Sequence, residues 1–583
     1  MRENEGSLGL PPPTLHCRAW ALASKWLFDG APTISRDANF GDPFMKTFDS
    51  KSALILSGCL LVVTTIFADN PIVQTSFTAD PGPFVYKDVM YAYLGHDEDN
   101  AMTWFNMRDW RLYKTTDAAN WTDLGVTATL ATFAWARADA WASQVIERNG
   151  KFYYYTTLRL EGEPCGIGVA VADKPEGPFK DAAGKPLASA VGYIDPTVFI
   201  DDDGQAYLYF GNPDLYMVKL NADMISISGS VVKQTKPSCY TEAPWVYKRN
   251  GTYNIVYATN CNPGYEDIRH ATSPTPSGPW TYRGIVQPVL NGGKATSWTN
   301  HPGIVEFKGK SYFFYHTGDL SGSAFRRSVQ VEEFKYNTDG TIPNIPVTKE
   351  GPKQIGTVNP YDTVQAETMA WSQGLKTFGS NPGGIYVDSI NNGDYIKVKG
   401  VDFGNGATSF EARVASGGNG GNIELHLDAL TGSVVGTCAV SKTGGWQTWS
   451  SATCNVAGAK GVHDLYLKFT GASGRLFNFH WWKFTGVSSG VTRGLRGIPL
   501  RMAMLAGDAP SLRLDFQSAF ESSEIQVDLF DLSGRLEARL FDGTVSSQSL
   551  TIPLRQGVRP QGIRILKLRS SEGVLLERTV LFP

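Results

Sequence analysis

Three acidic residues far apart in the chain, Asp80, Asp195 and Glu242, occupy the same place in a repeated phrase. Each leads into an apolar pair, a polar or glycine turn and an aromatic strand. The phrase runs Phe84-Val85 to Tyr91 after Asp80, Phe199-Ile200 to Tyr207 after Asp195, and Val246-Tyr247 to Tyr253 after Glu242. Trp141 and His301 lead two further copies, Val145-Ile146 to Tyr153 and Ile304-Val305 to Tyr312. Residues at one position of a repeat surround one axis when the repeats close into a ring, so the three carboxyls would converge. Hydrolysing a glycosidic bond with inversion needs such a set: a protonated carboxyl for the leaving oxygen and an ionised one to activate water, about 6.5 to 9.5 Å apart. Buried together, the acids repel, which raises at least one pKa and leaves a protonated acid near neutral pH. Glu242 is the better acid, because its side chain is longer and Trp245 can desolvate it. A lone carboxylate before a strand is ordinarily a turn former; the shared repeat position is what points to chemistry.

The elements that must position these residues are short strands and tight turns repeating every 50 to 60 residues or so, which predicts an all-β chain whose first large domain, 69–355, is a β-propeller. Turns are marked by Asn149-Gly150, Asp203-Gly204, Asn250-Gly251 and Lys308-Gly309. Each lead sits beside Pro or a small residue, as in Asp80-Pro81-Gly82, Asp195-Pro196-Thr197 and Glu242-Ala243-Pro244. Such neighbours fix the backbone and leave the side chain open to the axis. A Gly/Asn-rich stretch, 361–486, has the texture of a β-sandwich. A Ser/Gly/Arg-rich linker, 487–501, follows, and 502–583 reads as a small third β domain without a catalytic pattern.

A chain of 583 residues exceeds one core, and its net charge of -3 argues against a nucleic-acid partner. Aromatic residues make up 12% of it, a surplus that suits sugar rings as well as β-sheet cores. Residues 1–68 read as an N-terminal extension and signal peptide: Met45-Lys46 and the apolar run Ala53 to Phe67 predict a start at Met45 and a secreted or cell-surface bacterial protein. Leu56-Ser57-Gly58-Cys59 also resembles a lipoprotein cleavage box. The five later cysteines are compatible with two disulfides and one free thiol, Cys438 and Cys454 being the better pair.

Ala79-Asp80-Pro81-Gly82, Tyr193-Ile194-Asp195-Pro196-Thr197 and Thr241-Glu242-Ala243-Pro244 resemble the three catalytic blocks of glycoside hydrolase family 43. That resemblance implies a five-bladed propeller that inverts the anomeric centre without a catalytic cofactor, with Asp80 as general base, Glu242 as general acid and Asp195 tuning and orienting the acid. Cys165-Gly166-Ile167-Gly168-Val169-Ala170, Asn300-His301-Pro302-Gly303 and Phe325-Arg326-Arg327-Ser328 look like the branch that removes arabinofuranosyl side groups from arabinoxylan; β-xylosidases and endo-arabinanases share the scaffold. Ala142-Ser143 departs from the Ala-Pro of many relatives and clouds the substrate wall at Trp141. Trp141 either stacks on a sugar or fills the axis, and Asn300 either bonds a sugar hydroxyl or turns the chain. Arg327 either pairs with a catalytic carboxylate or the substrate, or is solvated. For His316 the family suggests a pocket histidine near a central calcium or water cluster, a satisfied core histidine being the alternative.

Gln365-Ala366-Glu367, Asn392-Gly393-Asp394-Tyr395, Gly445-Trp446-Gln447-Thr448-Trp449 and Phe477-Asn478-Phe479-His480-Trp481-Trp482 resemble carbohydrate-binding module family 6. By that likeness Tyr386 and Trp446 sandwich a sugar, Asn478 anchors it, and Glu367 is a ligand of a structural calcium; Trp449 and Trp482 belong to the core. The last domain resembles the C-terminal sorting domains of bacterial type 9 secretion, through its Leu532-Ser533-Gly534-Arg535 turn and final apolar strand. The implied partners are plant hemicellulose and that secretion machinery, for a monomeric enzyme.

Overall fold

The computed structural model describes residues 69–162, 164–262, 265–289, 298–380, 384–486, 501–505, 511–515, 523–531, 535–545, 549–553, 562–570 and 573–582. The expected signal peptide, the Cys59 box and the linker up to residue 500 lie outside them, as do residues 532–534 of the sorting-type turn.

Among the described residues, five antiparallel sheets follow one another between Phe77 and Phe334. Their first strands are Phe77–Tyr86, Ser143–Arg148, Thr197–Ile200, Tyr240–Arg249 and Gly303–Phe307; the first and fourth contain their leads, Asp80 and Glu242, and the others begin two residues after theirs. The period-2 pattern sends alternate side chains to opposite faces. In the third sheet Val198 and Leu208 join a core with Tyr155 and Val169 of the second sheet, while Phe199 and Tyr209 join one with Tyr257 and Ile255 of the fourth. Every consecutive pair of sheets shares such a core, and the fifth shares one with the first, where Phe314 and Val331 meet Trp121 and Leu94. Sheets joined face to face in a closed series form a propeller. Each fully buried Phe, Leu or Val contributes about 1.5–3 kcal/mol to that closure.

The ring is tied by the start of the described chain. Ile72 donates to the Val329 carbonyl at 3.0 Å and Thr78 to the Arg327 carbonyl at 2.9 Å. The Asn70 amide group accepts from Val331 N–H at 3.1 Å and donates to its carbonyl at 3.0 Å. The turns fall where expected. Asn149-Gly150, Asn250-Gly251 and Lys308-Gly309 all have positive φ at both residues, the hairpin geometry that matches strand twist.

Residues 364–486 build the expected sandwich from two sheets around Val398, Phe410, Leu467 and Trp482. Cys438–Cys454 links a strand of one sheet to a strand of the other; Cys239–Cys261 is a second disulfide, and Cys165 is buried. The sequence boundary between propeller and sandwich is not a boundary in packing, since the chain through Gly486 is one compact unit. Thr368–Met369 adds a strand to the first propeller sheet, pairing with Thr122 and Trp121. The Asp69 carboxylate takes both Lys397 Nζ, at 2.7 Å, and Lys399 Nζ, and the Asn120 amide exchanges hydrogen bonds with Lys399. From Val487 a second unit follows, with a three-stranded and a four-stranded sheet around Leu514, Val527 and Leu566.

Candidate active site

Asp80 and Glu242 stand where their strands break register, and Asp195 lies two residues before its strand. Asp80 and Asp195 have φ of 47° and 58°, a region that Asp tolerates better than most residues. For Glu242 the positive φ, 53°, falls on the next residue, Ala243. Pairing slips between Ala79 and Gly82, and on both sides of Glu242. Such bulges re-aim side chains, and Pro81 and Pro244 have no N–H to lose there. Glycine lets the first strands crowd together: a Cβ on Gly82 would sit 2.4 Å from the Ser143 oxygen, and one on Gly303 2.4 Å from Pro83 Cδ.

Hydrogen bonds between sheets bring the leads together. Ala243 N–H donates to Asp195 Oδ2 at 3.1 Å, which sets Asp195 beside Glu242. Asp195 N–H donates to Thr157 Oγ1 at 2.8 Å. Asp80 N–H donates to His316 Nδ1 at 3.1 Å, and His316 Nε2 donates to the Thr299 carbonyl at 3.0 Å. Arg327 reaches Asp80 Oδ1 through Nη1 at 2.9 Å while its Nε and Nη2 clasp both oxygens of Asp97, each at 2.9 Å. This bidentate fork is the geometry that arginine provides and lysine does not.

The environments of the acids differ. Burial raises the pKa of Asp80, but the Arg327 charge and hydrogen bond oppose it and favour the ionised form. Burial pushes Glu242 up to about 7; the Asn212 amide, which donates to Glu242 Oε2, and Arg327 pull it down, and Asp80 adds to the rise. Asp195 is raised well above the ordinary carboxylate range by burial, then by Glu242 and Asp80. His301, the lead of the fifth sheet, is held neutral, with burial and Arg327 depressing its pKa to about 3.

An aromatic rim lies beside these acids. Trp141 and Trp104 rings are 6.4 Å apart, Phe105 and Phe325 are 5.1 Å apart, and Phe325 is 5.0 Å from Trp298. Arg327 lies 4.7 Å from the Phe105 centroid, linking the rim to Asp80. Trp104 and Trp298 are 42% and 49% exposed, large apolar faces open to a ligand.

Residues 68–342 match the model of glycosyl hydrolases family 43, and residues 365–486 that of carbohydrate binding module family 6. An arabinoxylan arabinofuranohydrolase of Bacillus subtilis is 35% identical over 481 residues, which cover 71% of this chain and 92% of that protein. The chain belongs to glycosyl hydrolase family 43. An arabinoxylan arabinofuranohydrolase of Paenibacillus polymyxa is 33% identical over 73% of this chain and 75% of its own. The crystal structure of the Bacillus subtilis arabinoxylan arabinofuranohydrolase with cellotetraose aligns with a TM-score of 0.63 at 35% identity, covering 72% of this chain and 98% of that one. The protein is therefore a glycoside hydrolase carrying a family 6 module.

Within the family 43 domain the secondary positions resolve unevenly. Trp141 is half-buried at the rim, its Nε1 donating to the Phe105 carbonyl at 3.2 Å. Arg327 is buried and paired with Asp80, not solvated. Asn300 is buried, with its amide group donating to Gln287 Oε1 at 3.1 Å and accepting from His301 N–H at 3.0 Å. His316 is buried and spends both ring nitrogens on the backbone, as a satisfied core histidine does. Ser143, at the Ala-Pro departure, is 2% exposed and its Oγ accepts from Tyr154 at 2.7 Å; it is a core position, not part of a substrate wall.

In the family 6 module Trp446 and Asn478 meet, the Asn478 amide donating to the Trp446 carbonyl at 2.7 Å. Tyr386 contacts the neighbours of Trp446: its hydroxyl accepts from Gln447 at 2.8 Å and its ring packs on Trp449. Trp482 is core, as expected, whereas Trp449 is only half-buried, wedged between Tyr386 and His480. Glu367 sits at the junction with the propeller. Its Oε2 is buried without a hydrogen-bond partner, and it lines a cavity of about 10 Å³ with Asp123, Gln74, Thr75, Tyr113 and Trp121. Burial, reinforced by Asp123, raises its pKa well above the usual range. An orphaned carboxylate oxygen among other oxygen donors fits a hard cation such as calcium.

Two acids near the reaction centre escaped sequence reasoning. Asp97 ends the second strand of its sheet and anchors Arg327. Glu266 accepts Asn300 N–H at 2.7 Å, and Glu242 and Asp195 both raise its pKa after burial. Neither stands at the lead position of the repeat, so no pattern singled them out.

Proposed function

We propose that this family 43 enzyme removes α-L-arabinofuranosyl side groups from arabinoxylan with inversion. The observation that carries the mechanism is the asymmetry of the acid pair: Asp80 is held by Arg327, while Glu242 is raised to about 7. Asp80 ionised takes a proton from water as it attacks the anomeric carbon. Glu242 protonated gives its proton to the departing xylan oxygen. Asp195, through its bond to Ala243 N–H, holds the backbone beside the acid, while burial and the Asp80 charge keep the acid's pKa high. The aromatic rim with Trp104 and Trp298 supports a polysaccharide ligand, and the activity named for the two arabinoxylan relatives supports the sugar. Incubation with arabinoxylan, linear xylan and debranched arabinan tests this: arabinose alone, from arabinoxylan, is expected. Xylose from linear xylan or oligosaccharides from arabinan would assign the scaffold to xylosidase or endo-arabinanase activity.

Further readings belong with this proposal. Two disulfides, together with the apolar run after Met45, support export to an oxidising compartment, with the C-terminal unit serving sorting or attachment of a monomeric enzyme. Glu367 holds a structural calcium with Asp123 beside it. Chelation is expected to lower the melting temperature of the native chain but not of Glu367→Gln; equal losses in both would remove the calcium from Glu367.

A further inference from the structure

The cleft of the family 6 module is already occupied by a side chain of its own. The Arg475 guanidinium carbon lies 4.0 Å from the Trp446 ring centroid. Its Nη2 donates to Asn478 Oδ1 at 2.7 Å and pairs with the Asp388 carboxylate. Since the Asn478 amide nitrogen is spent on the Trp446 carbonyl, both polar ends of Asn478 are committed. A planar guanidinium at that distance takes the stacking position on an aromatic face, so a sugar ring cannot lie on the same face. Ring face, amide oxygen and buried carboxylate are the groups a neutral sugar would use for stacking and for its hydroxyls. Arg475 holds all three.

We infer that Arg475 is a latch on this cleft, and that a neutral β-linked xylan chain binds only by displacing it. The inference rests on reading the module as glycan-binding. The backbone supports it: Arg475 follows Gly474, whose φ of 90° few other residues would adopt, at the end of the exposed run Gly471-Ala472-Ser473-Gly474. Exposure is unequal, with the Arg475 side chain 35% exposed and that of Asp388 8%. The guanidinium can therefore turn out into water and rehydrate, while Asp388 and Asn478 stay in place to accept sugar hydroxyls. A partly exposed cation–π contact and its charge-assisted hydrogen bonds together oppose binding by about tenfold.

The test titrates xylohexaose into the full chain carrying Glu242→Gln, which blocks hydrolysis, by calorimetry. Adding Arg475→Ala is expected to tighten binding about tenfold, and further adding Trp446→Ala to abolish the gain. A second readout leaves position 475 intact. Salt screens the half-exposed Arg475–Asp388 pair, whereas xylohexaose carries no charge, so the Glu242→Gln chain should bind more tightly as salt rises. Unchanged or weaker binding by the Arg475→Ala chain, or binding indifferent to salt, would overturn the latch. Arabinose release from arabinoxylan by the chain with Glu242 intact is measured separately, so failure of the latch and failure of the catalytic reading are distinguishable.

Discussion

Glu242 and Asp80 are chemically similar acids made unlike by their neighbours: one meets an amide and another acid, the other a guanidinium. Glu242→Gln is therefore expected to cut turnover of arabinoxylan by about 10²- to 10⁴-fold while the chain stays folded, as turnover and circular dichroism would show. The same variant carries a stability signature. A carboxyl whose pKa rises from 4.5 to about 7 on folding contributes stability that is fully present below 4.5 and lost as pH rises through 7. Glu242→Gln should thus be more stable than the native chain at pH 8, by about 1–3 kcal/mol, with the gain fading toward pH 4 in chemical denaturation. Arg327 lowers the pKa of Asp80, so Arg327→Lys, which keeps the charge but loses the fork, should move the acid limb of the pH profile for kcat/KM to higher pH. An unmoved limb would separate Arg327 from the base. These residues were legible to different degrees. Asp80, Asp195 and Glu242 repeat, and repetition is visible in one sequence. Asp97 and Glu266 act through space from positions without a counterpart, and Arg327 was visible only with solvent exposure as the alternative.

The strands explain why the visible part was so extensive. Hairpin turns such as Asn149-Gly150 and Asn250-Gly251 and alternating aromatic runs give the sheets a local signature, and at Asp80 and Glu242 a bulge in the first strand re-aims the carboxyl. Cys438 and Cys454 were readable as a pair from their place around a hairpin, but the structure shows more: the strands they join lie in different sheets of the sandwich. With a sequence separation of 16, replacing both by Ser should lower stability by about 3 kcal/mol, read as a drop in denaturation midpoint for the reduced-equivalent chain. What escaped was the two-residue strand Thr368–Met369, which carries no period to recognise and yet completes the first propeller sheet.

Propeller and module share one unit because buried polar groups cross between them: Asp69 to Lys397 and Lys399, Asn120 to Lys399, and Thr377 to Asp123 at 2.6 Å. Removing one partner of a buried ion pair costs about 3–5 kcal/mol. Asp69→Ala should accordingly lower the melting temperature of the whole unit, and a chain ending at residue 355 should lose more, since it also bares the strand edge at Trp121–Thr129. Independent folding of that shorter chain at native stability would contradict the shared core. The joint between propeller and module was not legible in the sequence, because it pairs residues 328 and 330 positions apart, Asp69 with Lys397 and Lys399. In the proposed reaction Asp80 and Glu242 act on opposite sides of one arabinofuranosyl bond. Proton NMR during the first turnovers of arabinoxylan tests it most directly. Arabinose appearing first as the β-anomer, absent with Glu242→Gln, is the predicted result. Arabinose released first as the α-anomer, or released at native rate by Glu242→Gln, would contradict it.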